Sequence, residues 1–99
     1  HAVLCGDFNF EASEDSYTAI IQPFAGGTEA LVDAWTARYP GRTHDPTCGI
    51  HDREQWKQGS HVRDFFFVSA GLKPRIAGVE VDTRTAASDH QPVRLVLAD

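Results

Sequence analysis

The residues best able to do chemistry fall in three short stretches. The first is Gly6-Asp7-Phe8-Asn9. Asp7 and Asn9 are two apart, so an extended backbone projects both to one face, and Gly6 permits a close approach to the backbone. A carboxylate beside a neutral amide can handle a water and an anionic oxygen together. The second is Arg63-Asp64-Phe65-Phe66-Phe67, where Asp64 puts a charge into the most apolar part of the chain. A carboxylate there needs a partner. Arg63 or Arg75 would serve structurally; a histidine would serve functionally, oriented and kept charged by the carboxylate. The third is Ser88-Asp89-His90-Gln91-Pro92. An acidic residue next to an imidazole offers a metal or water ligand together with a phosphate contact or proton donor. Asp89 and His90 can serve one site only if the backbone bends there, within the limits set by Pro92. Each stretch also reads, more plainly, as a turn.

The elements that must position these groups are legible in the apolar pattern. Residues 2–6 form an apolar run without alternation, which predicts a short buried strand ending at Asp7. Ser13 can cap a helix over about 14–22, with Tyr17, Ile20, Ile21 and Phe24 on one stripe. Pro23 and Gly26-Gly27 end it. Thr28 can cap a second helix over about 28–38 carrying Leu31, Val32, Trp35 and Tyr39, stopped by Pro40-Gly41. Residues 41–60, rich in Gly, His, Asp and Thr, read as a long functional or mobile loop. Residues 61–69 predict a central strand covered on both faces, and Val79/Val81 and Val93/Leu95/Leu97 predict two more strands. The order gives an α/β (α+β) arrangement with hairpin-type pairing at its end.

The chain has 99 residues, which allows one small domain. Nine Lys and Arg against fourteen Asp and Glu leave a net charge of −5 with neutral histidines. That balance argues against a surface built for tight non-specific nucleic-acid binding. No run approaches the ~18 apolar residues of a membrane span, and no basic region precedes an apolar stretch as in a signal peptide. Cys5 and Cys48 are too few for a disulfide scaffold, and two free thiols in a reducing compartment, the cytoplasm, are expected. Residue 1 is a histidine and the chain has no Met, so more sequence is expected upstream.

Gly-Asp-Phe-Asn at a strand end, Arg-Asp-Phe-Phe-Phe inside a strand and Ser-Asp-His before a last strand, in that order, resemble the endonuclease/exonuclease/phosphatase superfamily. This is the fold of pancreatic-type deoxyribonuclease, apurinic endonucleases, neutral sphingomyelinases and inositol polyphosphate 5-phosphatases. Leu31-Val32-Asp33-Ala34-Trp35 and Pro40-Gly41 extend the resemblance over nearly the whole chain. It implies a four-layer α/β/β/α sandwich of which residues 1–99 supply only the C-terminal half: one mixed or antiparallel sheet covered by helices on one face. It further implies that Asp7 orients or deprotonates the attacking water and that Asn9 contacts the scissile phosphate. Asp64 would support His90, His90 would contact the phosphate as charge builds, and Asp89, with Asp7, would lie by a divalent metal, Mg²⁺ or Mn²⁺. The family's early Asn and metal-binding Glu have no counterpart here.

The function so implied is metal-dependent hydrolysis of a phosphate ester by in-line water attack. DNA, RNA, a phospholipid head group and a small phosphate ester are the open substrates. A catalytically inactive binding module that keeps the fold is the alternative. The 99 residues alone are expected to lack activity, since they supply one or two metal ligands. They are expected to pair through a bare apolar sheet face, with the absent first half or with a second copy. His44, Asp45, His51, Asp52 and His61 fit no standard metal spacing, and all but His61 read as loop residues, although His44 or His51 could touch substrate. Trp35 fits an apolar stripe and reads as core; Trp56 is the better candidate for a substrate contact at the rim of the site.

Overall fold

The computed structural model describes residues 1–99. Along the chain come β1 (Val3–Asp7), α1 (Asp15–Ile20), β2 (Leu31–Asp33), α2 (Ala34–Arg38), β3 (Asp64–Ser69), β4 (Ile76–Val81) and β5 (Val93–Leu97). Short 3-10 turns fill Ala25–Gly27 and Ala70–Arg75. The strands make two antiparallel sheets, β1-β3-β2 and β4-β5, and the whole is a small α+β fold. A single sheet was the expectation from sequence. The two sheets are instead joined by residues 47 and 48, which bridge to His61 on one side and to His90 and Gln91 on the other. No helix is long and apolar enough to cross a membrane.

The predicted second helix is partly a strand. Val32 pairs with Val68 across β2 and β3, and the helix begins only after Asp33, whose carboxylate caps it by accepting from the Trp35 backbone N–H. A side-chain cap at Asp33 satisfies an orphan helix donor, so the start moves from Thr28 to Ala34. At α1 the capping position is Glu14, not Ser13, and its side chain makes no cap bond. Tyr17, Ile20 and Ile21 do face the core, whereas Phe24 is exposed.

β3 is central, as its sequence predicts, and the chain covers it on both faces. Phe65 and Phe67 pack with Phe8, Phe10 and Tyr17 in an aromatic cluster under α1. Val68, on the other face, is buried with Ala34, Trp35, Leu72, Ile76 and Val79, and half-buried Phe66 packs there too. α2, the 3-10 turn and the β4-β5 hairpin cover the face that the sequence predicts to lie bare, so the expected pairing through that face, with an absent half or a second copy, has no bare surface to use. β1 departs from its predicted burial: it is an edge strand with all five residues exposed, and the exposed large apolar side chains are Val3, Leu4 and Phe24. Residues 41–60 form, as expected, a long loop without helix or strand, but its middle is not loose. Thr47, Cys48 and Gly49 are buried between the sheets.

Candidate functional site

The β1-β3 register sets Asp7 directly opposite Asp64. Like charges opposite each other destabilise a strand pair, so this placement needs a cation. His90 supplies it. Its Nδ1 donates to Asp64 Oδ2 at 2.7 Å, and its Nε2 faces Asp7 Oδ2 at 3.5 Å. Exposure rises along this row: the side chains of Asp64, His90 and Asp7 are 15%, 22% and 48% exposed. Partial burial favours the neutral ring. The hydrogen bond and charge of Asp64, then the charges of Asp7 and Asp89, outweigh it and hold His90 above its ordinary 6.5.

His90 reaches this place through a bend. Its backbone N–H donates to Ser88 Oγ at 3.2 Å, and Gln91 is buried, donating through Nε2 to the carbonyls of Asp82 and Thr85. The bend sends the two neighbours apart, His90 inward and Asp89 to solvent, where the Ser88 hydroxyl donates to its carboxylate. Asp7, Asp64 and His90 offer ligand atoms within 4.8 Å of one another; Asp89 is not part of that group.

Asn9 sits beside Asp7 in a tight turn. Its backbone N–H donates to Asp7 Oδ1 at 2.8 Å, and its φ is 56°, a conformation that asparagine tolerates better than most residues. Arg63 donates to its side-chain oxygen at 2.7 Å. Arg63 is therefore not the partner of Asp64, and Arg75 donates instead to the Ala98 carbonyl. Trp56 is half-buried near the site, edge-on to His90 at 6.3 Å between centroids and beneath the Arg63 guanidinium at 5.2 Å. Its indole Nε1 is buried without a hydrogen-bond partner.

Three participants have no motif in the sequence. Thr47 is fully buried, and its hydroxyl accepts from the backbone N–H groups of Arg63 and Asp64, fixing the entry to β3. Cys48 Sγ lies 3.2 Å from His61 Nε2. His61 Nδ1 donates to the Gly59 carbonyl at 2.8 Å, which leaves Nε2 as the acceptor nitrogen. His44 stacks on Trp35, itself buried core as expected, and His51 donates to the Thr83 carbonyl; neither joins the Asp7-Asp64-His90 group. Only the order of the buried backbone bonds, invisible in a periodicity, could have singled out Thr47.

Both cysteines are free. Burial, then the negative charge of Asp64, pushes the Cys48 thiol up to about 11, although Arg63 opposes the shift. A thiol at that value is a poor nucleophile near neutrality. Iodoacetamide at pH 8 is expected to alkylate exposed Cys5 in the folded protein and Cys48 only after denaturation. Intact-mass measurement of the number of adducts checks this, and rapid double labelling would contradict it.

The exposed carboxylate of Asp7 suits a hard cation such as Mg²⁺ or Mn²⁺, which keeps several waters and takes one or two protein carboxylates. Asp89, turned to solvent outside the cluster, does not join Asp7, contrary to the expectation from sequence. Asp64 and His90 are committed to each other and do not complete a cage. No family model matches the chain, and no curated protein or solved structure matches it significantly.

Proposed function

We propose that the chain is the C-terminal half of a divalent-metal-dependent phosphoesterase domain. The observation that carries this reading is the row Asp64-His90-Asp7: a sheltered carboxylate, an imidazole bound to it through Nδ1, and an exposed carboxylate at the other nitrogen. Such a row supplies an acceptor for a water proton at Asp7 and a cationic N–H donor at His90. The Asn9 amide adds a neutral donor on the same rim. Hydrolysis of a phosphate ester needs both an activated water and donors aimed at the non-bridging oxygens. A Mg²⁺ or Mn²⁺ held at Asp7 would neutralise charge on the phosphate. DNA, RNA, a phospholipid head group and a small soluble phosphate ester all present the same reacting group.

The test has two parts. The 99-residue chain, titrated with inorganic phosphate in the presence of Mg²⁺, is expected to shift the NMR signals of the His90 ring and the Asn9 amide without turnover. On this reading a longer polypeptide carrying the proposed first half is expected to hydrolyse bis-(p-nitrophenyl) phosphate, and to lose that activity with EDTA or with Asp7→Asn, by roughly 100-fold or more. Phosphate binding without turnover in the longer polypeptide would favour a binding module that keeps the fold. No response at His90 or Asn9 would sink the reading.

A further inference from the structure

Resting on the phosphate-ester reading, we infer that Arg63 is a positioning residue that fixes the Asn9 carboxamide with its oxygen inward and its NH₂ presented to the bound phosphate. Asn9 is exposed, and a free carboxamide can turn either end outward. Only the NH₂ end helps an anion; the oxygen end repels it. A guanidinium has donors and no acceptor, so it selects the oxygen. Arg63 Nη1 donates to Asn9 Oδ1 at 2.7 Å and to the Asn9 backbone carbonyl at 3.2 Å. Together with the Asp7 bond to the Asn9 backbone N–H, these contacts hold both the left-handed backbone and the side-chain orientation.

Arg63 is itself held at two further points. Its Nε donates to His61 Nε2 at 3.0 Å, and its guanidinium lies over the Trp56 ring. His61 can accept there because its other nitrogen is turned to Gly59. Trp56 therefore serves the site as a shelf for Arg63. The chain of support runs from the Gly59 carbonyl through His61 and Arg63 to the amide of Asn9.

The experiment is a double-mutant cycle on the 99-residue chain. It uses inorganic phosphate as the probe and the Asn9 side-chain NH₂ signals as a second readout. Arg63→Ala is expected to weaken phosphate binding roughly tenfold, the scale of one misdirected hydrogen bond to a charged group, and to increase the mobility of the Asn9 NH₂. Asn9→Ala should cost a similar factor, and the double variant no more than Asn9→Ala alone. Arg63→Lys keeps the charge but not the fork, and should recover little of the loss. Wild-type affinity in Arg63→Lys would make Arg63 a general electrostatic aid and overturn the inference. So would additive losses in the double variant, or an Asn9 NH₂ unchanged by Arg63→Ala. Should wild type bind no phosphate while the Asn9 NH₂ still loosens without Arg63, the positioning stands and the phosphate-ester reading fails.

Discussion

Asp64→Asn is expected to lower the His90 titration midpoint and, if the proposed phosphoesterase reading holds for a longer polypeptide, to reduce its turnover by roughly 100-fold or more. The substitution keeps the shape of the acceptor and removes its charge. The Nδ1 bond at 2.7 Å can persist, so His90 stays in place, but the imidazolium loses its nearest counter-ion. Asp7, at 3.5 Å, is more exposed and compensates weakly. Stability should follow the same linkage. The folded state holds the His90 proton more tightly than the unfolded chain, whose value is near 6.5. The stabilisation is therefore fully present below about pH 6.5, and is lost as pH rises through the raised midpoint of the folded protein. Denaturant unfolding of wild type should show stability falling across that window, and Asp64→Asn should flatten the fall. NMR titration of His90 gives the midpoint directly. A wild-type midpoint at or below 6.5, or one indifferent to Asp64→Asn, would remove the basis for a charged His90.

The parts of the site legible in the sequence were those tied to one strand and its period. An acidic residue in a run of phenylalanines had to find a partner; the pattern left Arg63, Arg75 and a histidine open, the family resemblance pointed to His90, and His90 is the one bonded to it. The central place of β3 followed from the same run. The failures came where a local pattern met a non-local demand. Leu31 and Val32 fit a helical stripe with Trp35, yet pairing with β3 draws them into a strand, and Asp33 restarts the chain as a helix. β1 is apolar enough to read as buried, but nothing pairs with its outer edge. Residues 41–60 lack any period because they act through single backbone bonds. Thr47 accepts two N–H groups at the start of β3 and offers its carbonyl to Gln91. No composition rule marks a residue whose importance lies in which donors reach it. Arg63 was missed for a related reason: beside Asp64 it reads as an ion-pair partner, whereas it lies just before β3 and its guanidinium reaches Asn9.

The backbone crossing inside that unpatterned stretch carries the second large expected effect. Gly49 and Gly59 approach so closely that a Cβ on Gly49 would lie 2.2 Å from the Gly59 carbonyl oxygen and 2.9 Å from its carbon. Gly49 also has φ +75°, where a side chain is strained whatever the space. Gly49→Ala is thus expected to destabilise the fold by about 3 kcal/mol or more, in the upper range for single substitutions. Gly41→Ala is the control: its φ is +77° and no atom lies within 4 Å of the added carbon, so it should cost only the conformational strain, about 1–2 kcal/mol. Urea unfolding of both variants isolates the contribution of the close approach. The damage should also be specific. The Gly59 carbonyl that the new methyl displaces is the acceptor for His61 Nδ1, and His61 in turn receives Arg63. Gly49→Ala should therefore disturb the Asn9 and Arg63 side-chain signals while leaving the aromatic cluster around Phe67 in place, because that cluster touches neither glycine. Equal destabilisation by the two alanines would mean that residues 47–61 yield to the methyl, and that the support running from Gly59 to Asn9 is not rigid.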